Sequence, residues 1–373
     1  MFLLFIGLVV FILYKDRKNI KVEGIFLMRK TSKGIKLIEN IYSSCKKFWN
    51  LYSNLSFLIS PFAIAFGSYL IIKNAYKILI GVTKIGAGII LPSATSQPVI
   101  GSGYIFLPLW LWIVGILSIV IPHEISHGIV SLNEKIKIRN VGYAFLLFIP
   151  AAFVEPDEKM LKKASSKKKI KIFGAGSLAN FILAFSCILI NFLLFNTMFT
   201  GYGVSYSGLV NNSPAFNASL NGTIVYLNGV RVKSINDFSN IMKNVTPGEF
   251  VNVTTEINNS QKKYTIKTFE EDGRSLIGIY GVTNYYKIKE FFVPVKKAVL
   301  FVLYLLSWIG ALNLGVGIVN MLPIKPLDGG LIMQEYLKWK FNNYVKIANI
   351  ISIIFAIILL FNIIGPKIIT LVV

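Results

Sequence analysis

The two histidines of this 373-residue chain are its entire histidine complement, and they stand four apart in His123-Glu124-Ile125-Ser126-His127. On a helix, positions i and i+4 share a face, so both imidazoles can reach one metal ion, with Glu124 beside them as proton acceptor for an attacking water. That chemistry is metal-assisted hydrolysis. The competing reading is a pair of helix histidines donating to carbonyls, with Glu124 paired to one of them. It would bury a carboxylate and two imidazoles in an apolar stretch with no cation to offset their desolvation.

A catalytic zinc takes three protein ligands and keeps a position open. No third histidine exists, so the remaining ligand is a carboxylate or a cysteine. Asp16, Asp157, Asp237 and Asp272 fall in loops or in a polar segment, whereas Asp328 follows directly on an apolar span and is the best placed. Glu155 and Glu335, also near the ends of apolar runs, are its rivals. Asp328 closes the stretch Asn320-Met321-Leu322-Pro323-Ile324-Lys325-Pro326-Leu327-Asp328-Gly329-Gly330. Two prolines and two glycines preclude a continuous helix there and free backbone groups to line a cavity.

The elements that must carry these residues are membrane helices. Hydrophobic residues make up 54% of the chain and the mean hydropathy is +0.63, well beyond a soluble domain. The fold class is therefore a polytopic α-helical membrane protein with about six spans, near 2–14, 55–72, 104–131, 172–199, 296–320 and 345–372. The first run is short and lacks the basic flank and cleavage site of a secretory signal, so it reads as an uncleaved span. The formal charge of +22 is concentrated around 15–47 and 135–171, between apolar segments. Such blocks read as cytoplasmic loops facing the anionic headgroups of a lipid bilayer, and without an aromatic-interleaved basic stripe they exclude nucleic acid as a partner. Cys45 and Cys187, in a basic loop and an apolar span, offer neither a disulfide framework nor a cysteine zinc site.

With both basic loops inside, the termini and residues 200–292 fall outside. Acceptor sequons at Asn211, Asn217, Asn221, Asn244, Asn252 and Asn258 all lie in that segment, in keeping with an extracytoplasmic position, although an Asn-rich chain also generates sequons freely. Residues 200–292 alternate short apolar runs with the turn signals Asn228-Gly229 and Pro247-Gly248, which marks a small inserted β-rich domain. Ser213-Pro214-Ala215, Ile224 leading to Asn228-Gly229, the helix-like run Ile235 to Met242 and Pro247-Gly248 together resemble a PDZ domain, a fold that takes a peptide or protein ligand by strand addition. Residues 73–103 read as an external loop or a re-entrant hairpin.

Over about 104–335 the chain resembles the site-2 protease family of intramembrane zinc metalloproteases. The resemblance rests on His123-Glu124-x-x-His127, on Asn320-x-x-Pro323-x-x-x-x-Asp328-Gly329, on the Gly-rich helix start Gly174 to Asn180, and on Pro150 to Glu155, which looks like the membrane-associated hairpin after the zinc helix. It implies one zinc held by His123, His127 and Asp328, with Glu124 as general base and acid. It further implies Asn180 as a group that orients substrate or stabilises the oxyanion, and Asn320 and Pro323 at the substrate-binding edge. Ser177 and Lys325 stand where members often have proline, which bears on substrate preference rather than chemistry. The implied domains are 1–103, an N-terminal membrane part; 104–199 and 293–335, the two halves of the protease core; 200–292, the PDZ-like insertion; and 336–373, a last helix. The implied substrates are transmembrane proteins, cleaved within the bilayer toward the cytoplasm. Three other readings compete: an anchored zinc peptidase with a cytoplasmic site, a permease using the same His/Glu/Asp cluster, and a catalytically silent scaffold.

Overall fold

The structure, a computed structural model, describes residues 2–372 except 25, 84, 85, 147 and 148. In chain order it forms α1 (Phe2–Lys15), β1 (Ile20–Glu23), β2 (Phe26–Thr31), α2 (Ile35–Ser44), α3 (Lys46–Leu79), β3 (Ile89–Ser93), β4 (Val99–Gly101), β5 (Tyr104–Pro108), α4 (Leu109–Asn133), β6 (Ile138–Leu146), β7 (Ile149–Pro156), α5 (Glu158–Lys163) and α6 (Ser166–Met198). There follow β8 (Phe199–Ser205), β9 (Gly208–Leu209), α7 (Pro214–Asn217), β10 (Thr223–Leu227), β11 (Val230–Arg231), α8 (Ile235–Met242), β12 (Phe250–Ile257), β13 (Ser260–Lys267), β14 (Phe269–Glu271), β15 (Arg274–Leu276), β16 (Ile279–Tyr280) and β17 (Thr283–Ile288). The chain ends in α9 (Lys296–Asn320), α10 (Asp328–Lys338) and α11 (Tyr344–Val372). Two compact units result, one from Met1–Ile190 with Tyr304–Val373 and one from Asn191–Leu303.

Among the described residues, five helical stretches are long and apolar enough to cross a membrane: α3, α4, α6, Glu290–Asn320 and Tyr344–Ile368. The sixth expected span, α1, has 14 residues, roughly 21 Å at 1.5 Å per residue, against a hydrocarbon core of about 30 Å. The expected span at 104–131 begins later than its apolar run. Tyr104–Pro108 is spent on β5, which pairs in parallel with β3 and antiparallel with β4, so residues 89–108 form a small three-stranded sheet.

In the first unit a four-stranded sheet runs β1-β2-β6-β7. Its β2–β6 ladder, Leu27↔Phe145 to Thr31↔Val141, joins the two basic segments. Hydrogen-bonded strands cannot sit on opposite faces of a bilayer, so both segments lie on one side of the spans. The hairpin expected at Pro150 to Glu155 is present as β7, paired with β6 and forming an edge of this sheet. The glycine-rich stretch Gly174–Asn180 lies well inside α6 rather than at its start. Gly174 is needed there because a Cβ would stand 2.3 Å from Ser60 Oγ of α3, so helix-to-helix contact rather than helix initiation explains the small residue.

The second unit is built on a sheet of order β13-β12-β10-β8-β17, with β11 added to β10. Alternate residues Val251 and Val253 of β12, Ile224 of β10 and Ile266 of β13 are buried with Met242 of α8, as a strand period of two requires. Asn258 and Asn259 join β12 to β13 with φ of 48° and 65°, the left-handed pair that a two-residue hairpin turn demands. On this sheet Glu256 Oε1 lies 2.6 Å from Lys287 Nζ and Oε2 accepts from the Tyr202 hydroxyl at 2.6 Å. The Lys287 ammonium and then the Tyr202 hydroxyl hold the Glu256 carboxyl below its ordinary 4.5. A carboxylate whose folded pKa is depressed contributes stability above its unfolded pKa and loses it as pH falls through the folded value. Amide protection factors in β8 and β17 of the intact protein are accordingly expected to fall on acidification below about pH 4.5, more in wild type than in Glu256→Gln. An equal fall in both would disprove the linkage.

Candidate active site

Helix α4 carries His123, Glu124 and His127 on the turns that follow Pro122. Asp328 is the first residue of α10. Its approach depends on the tight return after α9. A Cβ at Gly329 would lie 2.2 Å from the Met321 carbonyl oxygen, and one at Gly330 2.4 Å from the Ile324 carbonyl carbon. Only glycine lets α10 start against that turn. Asn320 ends α9 and Pro323 lies buried in the turn, between α9 and Asp328.

Three side chains converge. His123 Nε2 lies 3.3 Å and His127 Nε2 3.4 Å from Asp328 Oδ2, and the two Nε2 atoms are 3.1 Å apart. These residues form a group able to hold one metal ion. His127 Nδ1 is 2.7 Å from the Ile172 carbonyl of α6. A carbonyl only accepts, so Nδ1 carries a proton, and the ring in its neutral form turns a lone pair on Nε2 toward the centre. Asn180, fully buried on α6, meets His123 Nδ1 at 3.2 Å through its amide. With the amide oxygen turned to Nδ1, an orientation that the hydrogen-bond network decides, its otherwise unpartnered Oδ1 accepts the Nδ1 proton and His123 also presents a lone pair.

Buried Asp328 Oδ2 has no hydrogen-bond donor. Two nitrogen lone pairs and a carboxylate oxygen facing one another at 3.1–3.4 Å repel unless a cation sits among them. Ligands at about 2.0–2.1 Å from a tetrahedral zinc lie roughly 3.3 Å apart, so the donor set fits that ion. Glu124 stands aside, its Oε2 accepting the Val154 amide of β7 at 3.0 Å.

The rivals of Asp328 are engaged elsewhere. Glu155 bonds Asn140 at 3.0 Å and Lys30 at 3.4 Å, and Glu335 pairs with Lys169 at 3.1 Å. Sequence reasoning did not single out Gly176 of α6. A Cβ there would lie 2.5 Å from both His123 Nε2 and His127 Nε2, so the α6 backbone forms one wall of the centre. The glycine spacing in Gly174-Ala175-Gly176 was the available signal.

Helices able to span a bilayer and a hydrolytic His-His-Asp donor set with an adjacent glutamate define a class, the membrane-embedded metallopeptidases. The family model of peptidase family M50 matches residues 111–361. The chain belongs to that family and is a multi-pass membrane protein, a metallopeptidase of the site-2 protease type. It is 27% identical over 358 residues to an uncharacterized protein of Methanocaldococcus jannaschii, covering 92% of this chain and 88% of the relative. The PDZ domain of an SdrC-like protein from Listeria monocytogenes matches 24% of this chain and 90% of its own length, at 19% identity and a TM-score of 0.19.

Proposed function

We propose that His123, His127 and Asp328 bind one catalytic zinc, and that Glu124 serves it in hydrolysing peptide bonds within the transmembrane segments of membrane-tethered proteins. The observation that carries this reading is the convergence of three potential ligand atoms within 3.4 Å of one another. When bound, the ion supplies Lewis acidity, which acidifies the attacking water and offsets charge on the scissile carbonyl.

The remaining steps belong to the chain. Val154 N–H holds Glu124 Oε2, leaving the other oxygen free to take the proton of water and pass it to the leaving amine. Because that amide belongs to an edge strand, a substrate segment that unwinds and adds to β7 would pass beside Glu124. Asn320 and Pro323, in the turn leading to Asp328, would shape the same cleft. The contact of Asn180 with His123 supports a role in holding the imidazole rather than in meeting the oxyanion. Asn180→Ala is expected to weaken zinc binding about 10–100-fold, measured by chelator competition; an unchanged affinity with lost cleavage would return Asn180 to the oxyanion role.

The basic segments, shared by one sheet, are placed in the cytoplasm. His127 and Asp328 then lie toward the cytoplasmic ends of α4 and α9, and the chain between α6 and α9 lies outside whether or not α1 crosses. We assign that outer unit a PDZ-like fold. Its groove of about 740 Å³, between α8 and Arg274–Val282, suits an extended peptide, and a domain on that side would hinder substrates that still carry a bulky ectodomain. Purified protein in detergent tests the whole reading. Cleavage of a model transmembrane substrate with about one zinc per chain is expected; zinc-free protein that still cleaves would overturn it.

A further inference from the structure

Two buried ion pairs lie outside the donor set and share one helix. Lys171 Nζ of α6 is 2.8 Å from Glu134 Oε1, which also accepts Ser53 Oγ at 2.9 Å, and Lys168 Nζ donates to the Glu134 carbonyl at 3.0 Å. Lys169 Nζ is 3.1 Å from Glu335 Oε1. Glu134 and Glu335 are 8% and 5% exposed, so both charges are desolvated.

Their spacing is informative. Glu134 stands seven residues past His127, and Glu335 seven past Asp328. Seven residues are close to two helical turns, so each carboxylate lies near the face of its helix or cap that carries the ligand. On α6, Lys169, Ile172, Gly176 and Asn180 recur at helical spacing along one face. Three of them touch the histidine rings, through the Ile172 carbonyl, the Asn180 amide and the Gly176 backbone. Helix α6 therefore meets the ligands directly and grips their helices two turns further on.

We infer that Lys169 and Lys171 are positioning residues for the metal centre. Lys171 fixes α4 through Glu134 and Lys169 fixes α10 through Glu335, so that Asp328 is held in register with the two histidines. Stability alone does not account for such pairs, because burying two charges offsets most of their attraction and apolar replacements of similar size are commonly tolerated. What a short pair adds is a defined distance between helices. The inference rests on the zinc reading proposed above.

The test is the double variant Lys169→Met with Glu335→Gln, which removes both charges and leaves no buried charge without its counter-charge. Full-length protein in detergent is assayed for zinc affinity by chelator competition, for thermal unfolding and for KM and kcat. Zinc binding weakened at least about 10-fold, with kcat reduced, KM within about twofold and an unfolding temperature near wild type, is expected. The charge-swapped pair Lys169→Glu with Glu335→Lys should recover part of the affinity, and Lys171→Met with Glu134→Gln should follow the same course. Asn362→Leu, which removes a buried bond to the Ile71 carbonyl between α11 and α3, should lower the unfolding temperature and leave zinc affinity unchanged. Wild-type affinity in the double variant would overturn the inference. So would zinc loss that merely tracks unfolding temperature across all variants, or failure of every pair variant to fold. Absence of zinc from the wild type would instead overturn the metal reading beneath it.

Discussion

Gly176→Ala is expected to give a protein that folds but holds no zinc. A single methyl at this position would lie 2.5 Å from both Nε2 atoms and 2.6 Å from His123 Cε1, well inside any van der Waals contact. Neither ring has freedom to retreat, since His127 is fixed from its far nitrogen by the Ile172 carbonyl and His123 by Asn180. Alanine is the better helix former by about 1 kcal/mol, so the backbone of α6 has no reason to unwind. The strain falls on the two imidazoles. Zinc per chain should drop from about one toward zero and cleavage by at least about 10³-fold, because a misplaced ligand set forfeits most of the metal's contribution. Gly315→Ala on α9, where an added Cβ meets nothing within 4 Å, is the matched control and should keep both. A Gly176→Ala protein with full zinc and wild-type rate would show that the wall formed by α6 is not tight in solution.

Glu124→Gln separates chemistry from binding. Glutamine keeps the shape of the side chain and an amide oxygen to accept from Val154 N–H, which now holds Oε2 at 3.0 Å. It removes the ability to take a proton. General base and acid catalysis contributes on the order of 10²–10⁴, and here one group serves both directions. A fall in kcat of about 10³ or more is expected, with zinc retained and KM for a transmembrane substrate near wild type. Zinc determination beside single-turnover cleavage checks this. A residual rate within tenfold of wild type would remove Glu124 from the mechanism, and loss of zinc would make it a ligand instead.

Much of the site was legible in the sequence because its signals are local. His123 and His127 at helical spacing need only a helix to face one point, and Asp328 stood out as a carboxylate at the end of an apolar run. The β-rich character of 200–292 and the helix over Ile235 to Met242 were equally plain, since period and turn residues act over a few positions. Less legible were features that depend on which helices become neighbours. Gly174 and Gly176 looked like a helix start; they mark where α3 and the two imidazoles press on the middle of α6. Residues 89–108 form a sheet because β3 finds β5, a pairing that no short window discloses. The run at 104–131 was apolar throughout, and hydropathy cannot tell a strand from the first turns of a helix.

The sequence by itself determined the chemistry this protein can perform and the solvent in which it folds: a His-Glu-x-x-His helix, a carboxylate after a broken span, and enough apolar residues to require a bilayer. Only the tertiary structure shows which carboxylate lies beside the two histidines and which nitrogen of each ring faces it. Glu155 and Glu335 are carboxylates like Asp328 and lie as near to the ends of apolar runs. What separates them is that Lys30 and Lys169 reach the first two, while α6 and the Gly329-Gly330 turn bring Asp328 to the histidines. Such choices are made by contacts between residues far apart in the chain, and composition and period carry no record of them.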